Sequence, residues 1–299
     1  MENVLVTGSS GFLGSHLVKS LKGSDLNATG MDLRTSEYTQ KVCDIKNKSQ
    51  IVKVLKENEI GKVVHLAAYI DAAESVRKTL KYIRNNSLNT AILLEAMRKA
   101  DCKEIVFISS VAVYGKQKEF PIYESAQQQP INPYGLSKLL AERIVESYHE
   151  SYGMGYTILR PTNLYGIGQN PAYAGVISKF IEAAIKGSAL VLYGDGMQTR
   201  DFLNVSDMVE AIKTVIMNKG KDTAYNVSFG KSVRIIELLK TVQKITGASI
   251  EPKRRHERSG DIERSEVSNQ KFVDAYGWKP KVELEAGLRE LLYHYRTRV

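Results

Sequence analysis

From its first residues the chain alternates short β-branched runs with longer segments of helical period: residues 3–7, 14–22, 28–32, 49–57 and 62–67. A strand that runs parallel to its predecessor needs a crossover long enough to hold a helix, so this rhythm reads as βαβαβ. It continues through a helix at about 86–99, a strand at 104–109, a helix at about 134–152 and a strand at 156–160. Strands joined in this way form a doubly wound parallel sheet. Its ligands sit beyond the carboxyl ends of the strands.

After Tyr165 the pattern gives way to a stretch at 166–175 rich in Gly, Asn, Pro and Ala, followed by mixed helices and short strands. The expectation is an α/β chain with a Rossmann-type domain at 1–165, a smaller mixed α/β lobe at 166–299, and a cleft between them. No apolar run approaches the roughly 18 residues that a membrane span requires. The start, Met1-Glu2-Asn3-Val4-Leu5-Val6, enters a strand without a charged-then-apolar leader. A soluble, unprocessed, cytoplasmic protein with no membrane partner is expected. Cys43 and Cys102 are isolated, with neither metal-ligand spacing nor the density of a stapled secreted domain, so no metal site is expected. The formal net charge of +9 favours anionic partners. The densest basic stretch, Lys253-Arg254-Arg255-His256-Glu257-Arg258, lacks aromatic residues and is interrupted by acid. It reads as a solvated face or a phosphate clamp, not a nucleic-acid surface.

Gly8, Gly11 and Gly14 lie in Thr7-Gly8-Ser9-Ser10-Gly11-Phe12-Leu13-Gly14, directly after the first strand and opening the first helix. Glycine suits a sharp turn, a close approach of backbone to a pyrophosphate and a tight helix–strand contact, and the helix N-terminus offers N–H groups to the anion. Asp32 ends the next strand, where a carboxylate accepts both ribose hydroxyls and repels a 2′-phosphate, so NAD is favoured. Arg34, two residues on, is the feature that would suit NADP instead. Asp44 and Ile45 read either as flanking the adenine or as a surface turn.

Tyr134 and Lys138 in Tyr134-Gly135-Leu136-Ser137-Lys138 are four residues apart, hence on one helix face. A phenol ionises near pH 10 in water, so its use as a base at neutral pH needs a stabilising cation. Lys138 and an oxidised nicotinamide ring would both supply one. Upstream, the strand at 104–109 ends in Ser109-Ser110, where a hydroxyl can hold a substrate oxygen at the carboxyl edge of the sheet.

With these residues in place, the chain resembles the extended short-chain dehydrogenase/reductases of the nucleotide-sugar group, and most resembles UDP-sugar 4-epimerases. The resemblance is carried by 7–16, His65-Leu66-Ala67-Ala68, Glu74-Ser75-Val76, 85–90, 108–115, 134–138, 160–163, 194–205 and 258–261. It implies Tyr134 as base, Lys138 as the residue that lowers the phenol and contacts the nicotinamide ribose, and Ser110 as the group that binds the reacting hydroxyl. It further implies that Phe12, Leu13, Leu66, Ala67 and Asn86 contact the cofactor beside the three glycines, with neighbouring Asn85 open as an alternative. The related dehydratases carry an Asp-Glu pair after the catalytic hydroxyl residue. Here that pair is Val111-Ala112, which argues against dehydration.

In the second lobe the resemblance places Arg200 and Arg258 on a substrate diphosphate, Asn163 on the diphosphate-sugar end and Tyr193 against the base. Ser265, at a position that lines the sugar pocket, implies room for N-acetylhexosamines or uronic acids as well as plain hexoses. A UDP-sugar is the expected partner, and helices 86–99 and 134–152 are the expected contact of a homodimer. His16 and His65 read as structural, and Tyr148, Tyr152, Tyr293 and Tyr295 as packing or interface residues. Two other functions fit the same residues: a nucleotide-sugar reductase or dehydrogenase with net redox chemistry, and a non-catalytic dinucleotide-binding protein.

Overall fold

A computed structural model describes residues 2–169, 175–218, 220–256 and 262–297. The chain opens with β1 (Glu2–Thr7), α1 (Phe12–Leu21), β2 (Leu26–Asp32), β3 (Lys41–Val42), α2 (Lys48–Glu57) and β4 (Lys62–His65). Two short helices follow, α3 (Ala72–Arg77) and α4 (Thr79–Tyr82), then a π-helical turn, Ile83–Leu88, that leads into α5 (Asn89–Ala100). Next come β5 (Glu104–Ile108), a 3₁₀ turn at Val111–Val113, α6 (Pro133–Tyr152), β6 (Gly155–Pro161) and β7 (Asn163–Tyr165). The remainder comprises α7 (Val176–Lys186), β8 (Val191–Tyr193), β9 (Thr199–Asn204), α8 (Val205–Met217), β10 (Thr223–Val227), β11 (Ser232–Arg234), α9 (Ile235–Thr246), β12 (Lys253–Arg255), α10 (Gln270–Tyr276) and α11 (Leu284–Arg296).

The chain divides into two compact units. The first comprises Met1–Lys116, Ala126–Arg160 and Val209–Tyr225; the second comprises Gln117–Ser125, Pro161–Met208 and Asn226–Val299. Seven strands form one sheet in the order β10-β6-β5-β4-β1-β2-β3. The pairs β2/β1, β1/β4, β4/β5 and β5/β6 are all parallel, so the Rossmann-type doubly wound fold read from the sequence is the fold observed. Strand order reverses between β1 and β4, where crossovers leave in opposite directions and open a crevice at the carboxyl ends.

Val4, Leu5 and Val6 are all fully buried, as expected for a parallel strand covered on both faces. One face packs Leu5, Val63, Ile105, Phe107 and Ile158 against Ile51 and Leu55 of α2, Leu93, Leu94 and Met97 of α5, and Ala141 and Val145 of α6. Truncating a fully buried leucine here, such as Leu94→Ala, costs about 2–5 kcal/mol. The second unit holds its own core, in which Phe180 and Ile181 of α7 meet Leu238 and Val242 of α9 and Leu288 and Leu291 of α11. Its sheets are small: β11-β9-β7, with β9 antiparallel to β11 and parallel to β7, and the parallel pair β12-β8.

Candidate active site

The glycine turn between β1 and α1 is fixed by contacts that no side chain tolerates. Gly8 has φ +73°, and a Cβ there would meet the Ala67 nitrogen at 2.9 Å; one on Gly14 would run into the Gly8 carbonyl oxygen. Gly11 starts α1 with no side-chain cap and no acidic residue in the first turn. The amides of Phe12 and Leu13 therefore sit at the positive end of a helix, the arrangement that suits a pyrophosphate. A cavity of about 180 Å³ opens beside this turn, lined by Gly8, Gly11, Asp32, Ile45, Leu66 and Ala67 among others. The Asp32 carboxylate lies in it, accepting the N–H groups of Ser10 at 3.1 Å and Arg34 at 3.0 Å. The Arg34 side chain is largely exposed and its Nε pairs with Asp32 at 3.8 Å. A glycine cradle, an anion-favouring helix end and a carboxylate at the end of β2 together fit NAD.

At two positions where the sequence reading left alternatives open, the structure distinguishes the neighbours. Asp44 closes a turn, its Oδ1 accepting the Lys46 N–H at 2.9 Å, and only Ile45 of that pair lines the cavity. Asn86 is buried with its amide fully engaged: Oδ1 accepts the Tyr69 N–H at 2.9 Å, while Nδ2 donates to the Tyr69 carbonyl and the Ser137 hydroxyl, both at 2.9 Å. Asn85 is the asparagine that lines the cavity. Both asparagines lie in the π-helical turn, whose wider register turns adjacent residues to different surroundings.

His65 is structural, as read. Thr90 donates its hydroxyl to the Asn86 carbonyl at 2.7 Å, so His65 Nε2 donates to Thr90 at 3.1 Å and Nδ1 accepts from Thr7 at 2.8 Å. Burial, with the nearby charge of Lys138, pushes the imidazole down to about 3, so it stays neutral. The Thr7 oxygen in turn accepts the N–H groups of Leu66 and Ala67, which shapes the floor of the cavity.

The start of α6 brings the three candidate catalytic residues together. Asn132 caps the helix by accepting the Gly135 N–H at 2.9 Å, and Pro133 occupies the first turn, where no N–H partner is needed. A Cβ on Gly135 would lie 2.5 Å from the Ala112 carbonyl, so glycine permits the helix to press onto the turn that carries Ser110. Ser110 caps that turn by accepting the Ala112 N–H at 3.1 Å, and its side chain favours ionisation of the Tyr134 phenol. Ser109, its neighbour, is buried with a hydroxyl that has no partner among the described residues. The Tyr134 backbone is held on both sides: its N–H donates to Ser75 Oγ at 3.1 Å and its carbonyl accepts from Ser137 Oγ at 2.7 Å. Ser75 is thus a supporting residue whose sequence signal lay in Glu74-Ser75-Val76.

Lys138 is buried, donates to the Ile108 carbonyl at the end of β5 at 2.8 Å, and lies 5.1 Å from the centroid of the Phe107 ring. Burial lowers its ammonium to about 8, against a countering pull from Glu142. Burial raises the Tyr134 phenol above its usual value, and the Ser110 side chain acts in the opposite direction.

Within the second unit a cavity of about 540 Å³ is lined by Asn163, Tyr193, Gln198, Arg200 and Phe202 among others. Arg200 is oriented by donating from Nη1 to the carbonyls of Thr199 at 2.8 Å and Ile262 at 2.5 Å. Asn163 donates to the Asp201 carbonyl at 2.9 Å. The fully buried Asp201 carboxylate organises this region by accepting from the Thr162 hydroxyl at 2.7 Å and from the N–H groups of Phe229 and Gly230 at 2.9 and 2.8 Å. Ser265 is buried outside the cavity lining, its N–H on Thr199 Oγ1 at 3.2 Å. Arg258 lies outside the described residues. Gln198, which donates to the Tyr193 carbonyl at 3.0 Å, carried no signal of its own in the sequence.

The NAD dependent epimerase/dehydratase family model matches residues 4–228. The chain belongs to that family. As a family member it is an NAD-dependent protein of the extended short-chain dehydrogenase/reductase type, in the nucleotide-sugar epimerase group. It is similar to UDP-glucose 4-epimerase of Lactobacillus helveticus, 32% identical, the match covering 94% of this chain and 92% of the relative. Among solved structures it resembles the UDP-glucose 4-epimerase of Thermotoga maritima with UDP-glucose: TM-score 0.95, 32% identity, 99% of each chain covered. It also resembles the UDP-N-acetylglucosamine 4-epimerase of Methanobrevibacter ruminantium in complex with UDP-N-acetylmuramic acid: TM-score 0.89, 33% identity, 100% of this chain and 99% of that one covered. Among the described residues no helix is long and apolar enough to cross a membrane, and no cluster of metal-binding side chains occurs.

Proposed function

We propose that the protein interconverts nucleotide sugars at C4, acting as an NAD-dependent UDP-sugar 4-epimerase. The observation that carries this reading is the buried Tyr134 phenol, which Ser110 pulls toward ionisation, on one helix face with Lys138 and in the unit that holds the glycine cradle. Ser110 orients the sugar C4 hydroxyl, and Tyr134 takes its proton. NAD held in the glycine cradle would supply a reversible acceptor for the C4 hydride, so that C4 could be inverted without net redox change. Tyr134 then gives the proton back. Lys138, fixed on the Ile108 carbonyl, supplies positive charge and a hydrogen bond for the nicotinamide ribose. Gly8, Gly11, Phe12, Leu13 and Gly14 would hold the pyrophosphate, Asp32 the adenine ribose, and Asn85 the side of the cavity that Asn86 was expected to serve.

Arg200, with Arg258, clamps the substrate diphosphate in this reading, while Asn163 serves the diphosphate-sugar end and Tyr193 packs against the base. Val111-Ala112 favours epimerisation within a family that also contains dehydratases, because neither side chain can donate or accept the proton that loss of water requires. Likeness to enzymes of both UDP-glucose and UDP-N-acetylglucosamine supports a sugar pocket that admits N-acetyl groups. The protein is taken to act in the cytoplasm as a homodimer. Incubation with UDP-, dTDP- and GDP-sugars followed by NMR of the products tests the reading. The expected result is a C4 epimer of a UDP-sugar without net change in nicotinamide absorbance, abolished in Tyr134→Phe. Stoichiometric reduction or oxidation of the cofactor would replace epimerisation with net redox chemistry.

A further inference from the structure

Behind the catalytic lysine lies a buried ion pair that the reaction does not touch. Arg160, at the end of β6, forks onto Glu142 of α6 through Nε–Oε1 at 3.0 Å and Nη2–Oε2 at 2.7 Å, and both side chains are essentially without exposure. The remaining arm, Nη1, donates to the Tyr114 hydroxyl at 2.8 Å, and the guanidinium stands 5.1 Å from the Tyr114 ring centroid. Replacing a buried pair of this kind with apolar residues is often neutral or stabilising, so stability alone is a weak account of it. Its position is more telling. Glu142 follows Lys138 by one helical turn on α6, and Tyr114 closes the turn that begins at Ser110.

We propose that Glu142, clamped by Arg160 and Tyr114 one turn from Lys138, is a positioning residue that keeps the buried Lys138 ammonium charged and in place. The geometry fits this role because the clamp ties together the helix carrying Tyr134 and Lys138, the turn carrying Ser110, and the strand beside β5. The groups that face Lys138 supply no other counter-charge among the described residues. From β5 come the Ile108 carbonyl and the Phe107 ring, and from β4 the neutral His65. Glu142 is the charged side chain whose field favours the ammonium against its burial. Arg160 and Tyr114 hold that carboxylate rigid, so its field does not relax when the lysine changes charge.

The proposal rests on the epimerase reading for its consequence, since it gives Lys138 the role of an ammonium at the nicotinamide ribose, but its test does not need turnover. The Lys138 ammonium is titrated by NMR in ¹⁵N-lysine-labelled NAD-bound protein and assigned through Lys138→Arg. The same titration is made in Glu142→Gln and in a Glu142→Leu/Arg160→Met double variant that removes both buried charges without leaving either alone. Both variants are expected to lower the Lys138 midpoint by at least about half a pH unit, the larger change in Glu142→Gln. The alkaline limb of kcat moves down by the same amount, with KM for the UDP-sugar within about threefold of wild type. A midpoint unchanged in a folded variant overturns the proposal, as does a kcat loss without movement of the limb. Failure of the wild type to make any epimer would sink the epimerase reading alone, because the titration still reports whether Glu142 governs the lysine.

Discussion

Lys138 holds a cation where cations are costly. Its midpoint falls from 10.5 to about 8, so the unfolded chain binds more protons than the folded one between those two values. Unfolding free energy therefore rises with pH across that window, and below about 8 the cost of the buried charge is fully present. At about 1.4 kcal/mol per unit the gain is about 3 kcal/mol. Urea unfolding of wild type and Lys138→Met at pH 7, 9 and 10.5 checks this, with wild type expected to gain on the variant as pH rises. A constant difference would show that the ammonium is not strained by burial. At Ser110 the sign is opposite. Its hydroxyl lowers a phenol that burial raises, so Ser110→Ala is expected to shift the acidic limb of kcat/KM for the UDP-sugar to higher pH as well as reduce kcat. A pH–rate profile with an unmoved limb would leave Ser110 a substrate contact only. The placement of Ser110, Tyr134 and Lys138 was readable from sequence because a four-residue helical spacing and the end of a strand fix where such residues lie. The energetic detail was not readable, since it depends on the Ile108 carbonyl and Phe107 ring brought in by another element.

The π-helical turn before α5 shows where periodicity stops being informative. A helix of regular pitch predicts a face, but it does not distinguish neighbours once the ladder widens, and across that one step Asn85 lines the cavity while Asn86 is engaged with Tyr69 and Ser137. Asn86 bonds both backbone groups of Tyr69 and the Ser137 hydroxyl, which in turn bonds the Tyr134 carbonyl. Asn86→Ala leaves the Tyr69 groups without these partners and is expected to cost about 2–3 kcal/mol, read as a lower urea midpoint. Half-buried Asn85 lines the cavity, so Asn85→Ala is expected to cost less than about 1 kcal/mol while weakening NAD binding more than Asn86→Ala does. The reverse ranking in calorimetric titration with NAD would restore Asn86 as the cofactor contact. Other elements were missed for similar reasons. The two-residue β3 is too short to show alternation, and α3 and α4 are too short for a helical stripe.

At the scale of the whole molecule, the chain passes between its two units at 116/117, 125/126, 160/161, 208/209 and 225/226, where sequence composition marks only the change after Tyr165. Such crossings are set by which distant strand a segment pairs with, and no local pattern encodes that choice. Net charge, by contrast, is fully written in the sequence. At +9 it surrounds the protein with a potential that attracts a nucleotide-diphosphate sugar before any specific contact forms. Part of that charge is exposed on β12, whose Arg255 pairs in register with the cavity residue Tyr193. Screening shortens the reach of the field to about 10 Å at 0.1 M salt, so the encounter rate should fall while the chemistry inside the site does not. The expected outcome is a several-fold drop in kcat/KM for the UDP-sugar between low and physiological ionic strength, with kcat unchanged and a shallower slope in Lys253→Gln/Arg255→Gln. Initial rates across a salt series measure both quantities. If kcat/KM is flat while the substrate remains a dianion, the basic surface serves solubility and the arginine clamp alone recruits the diphosphate.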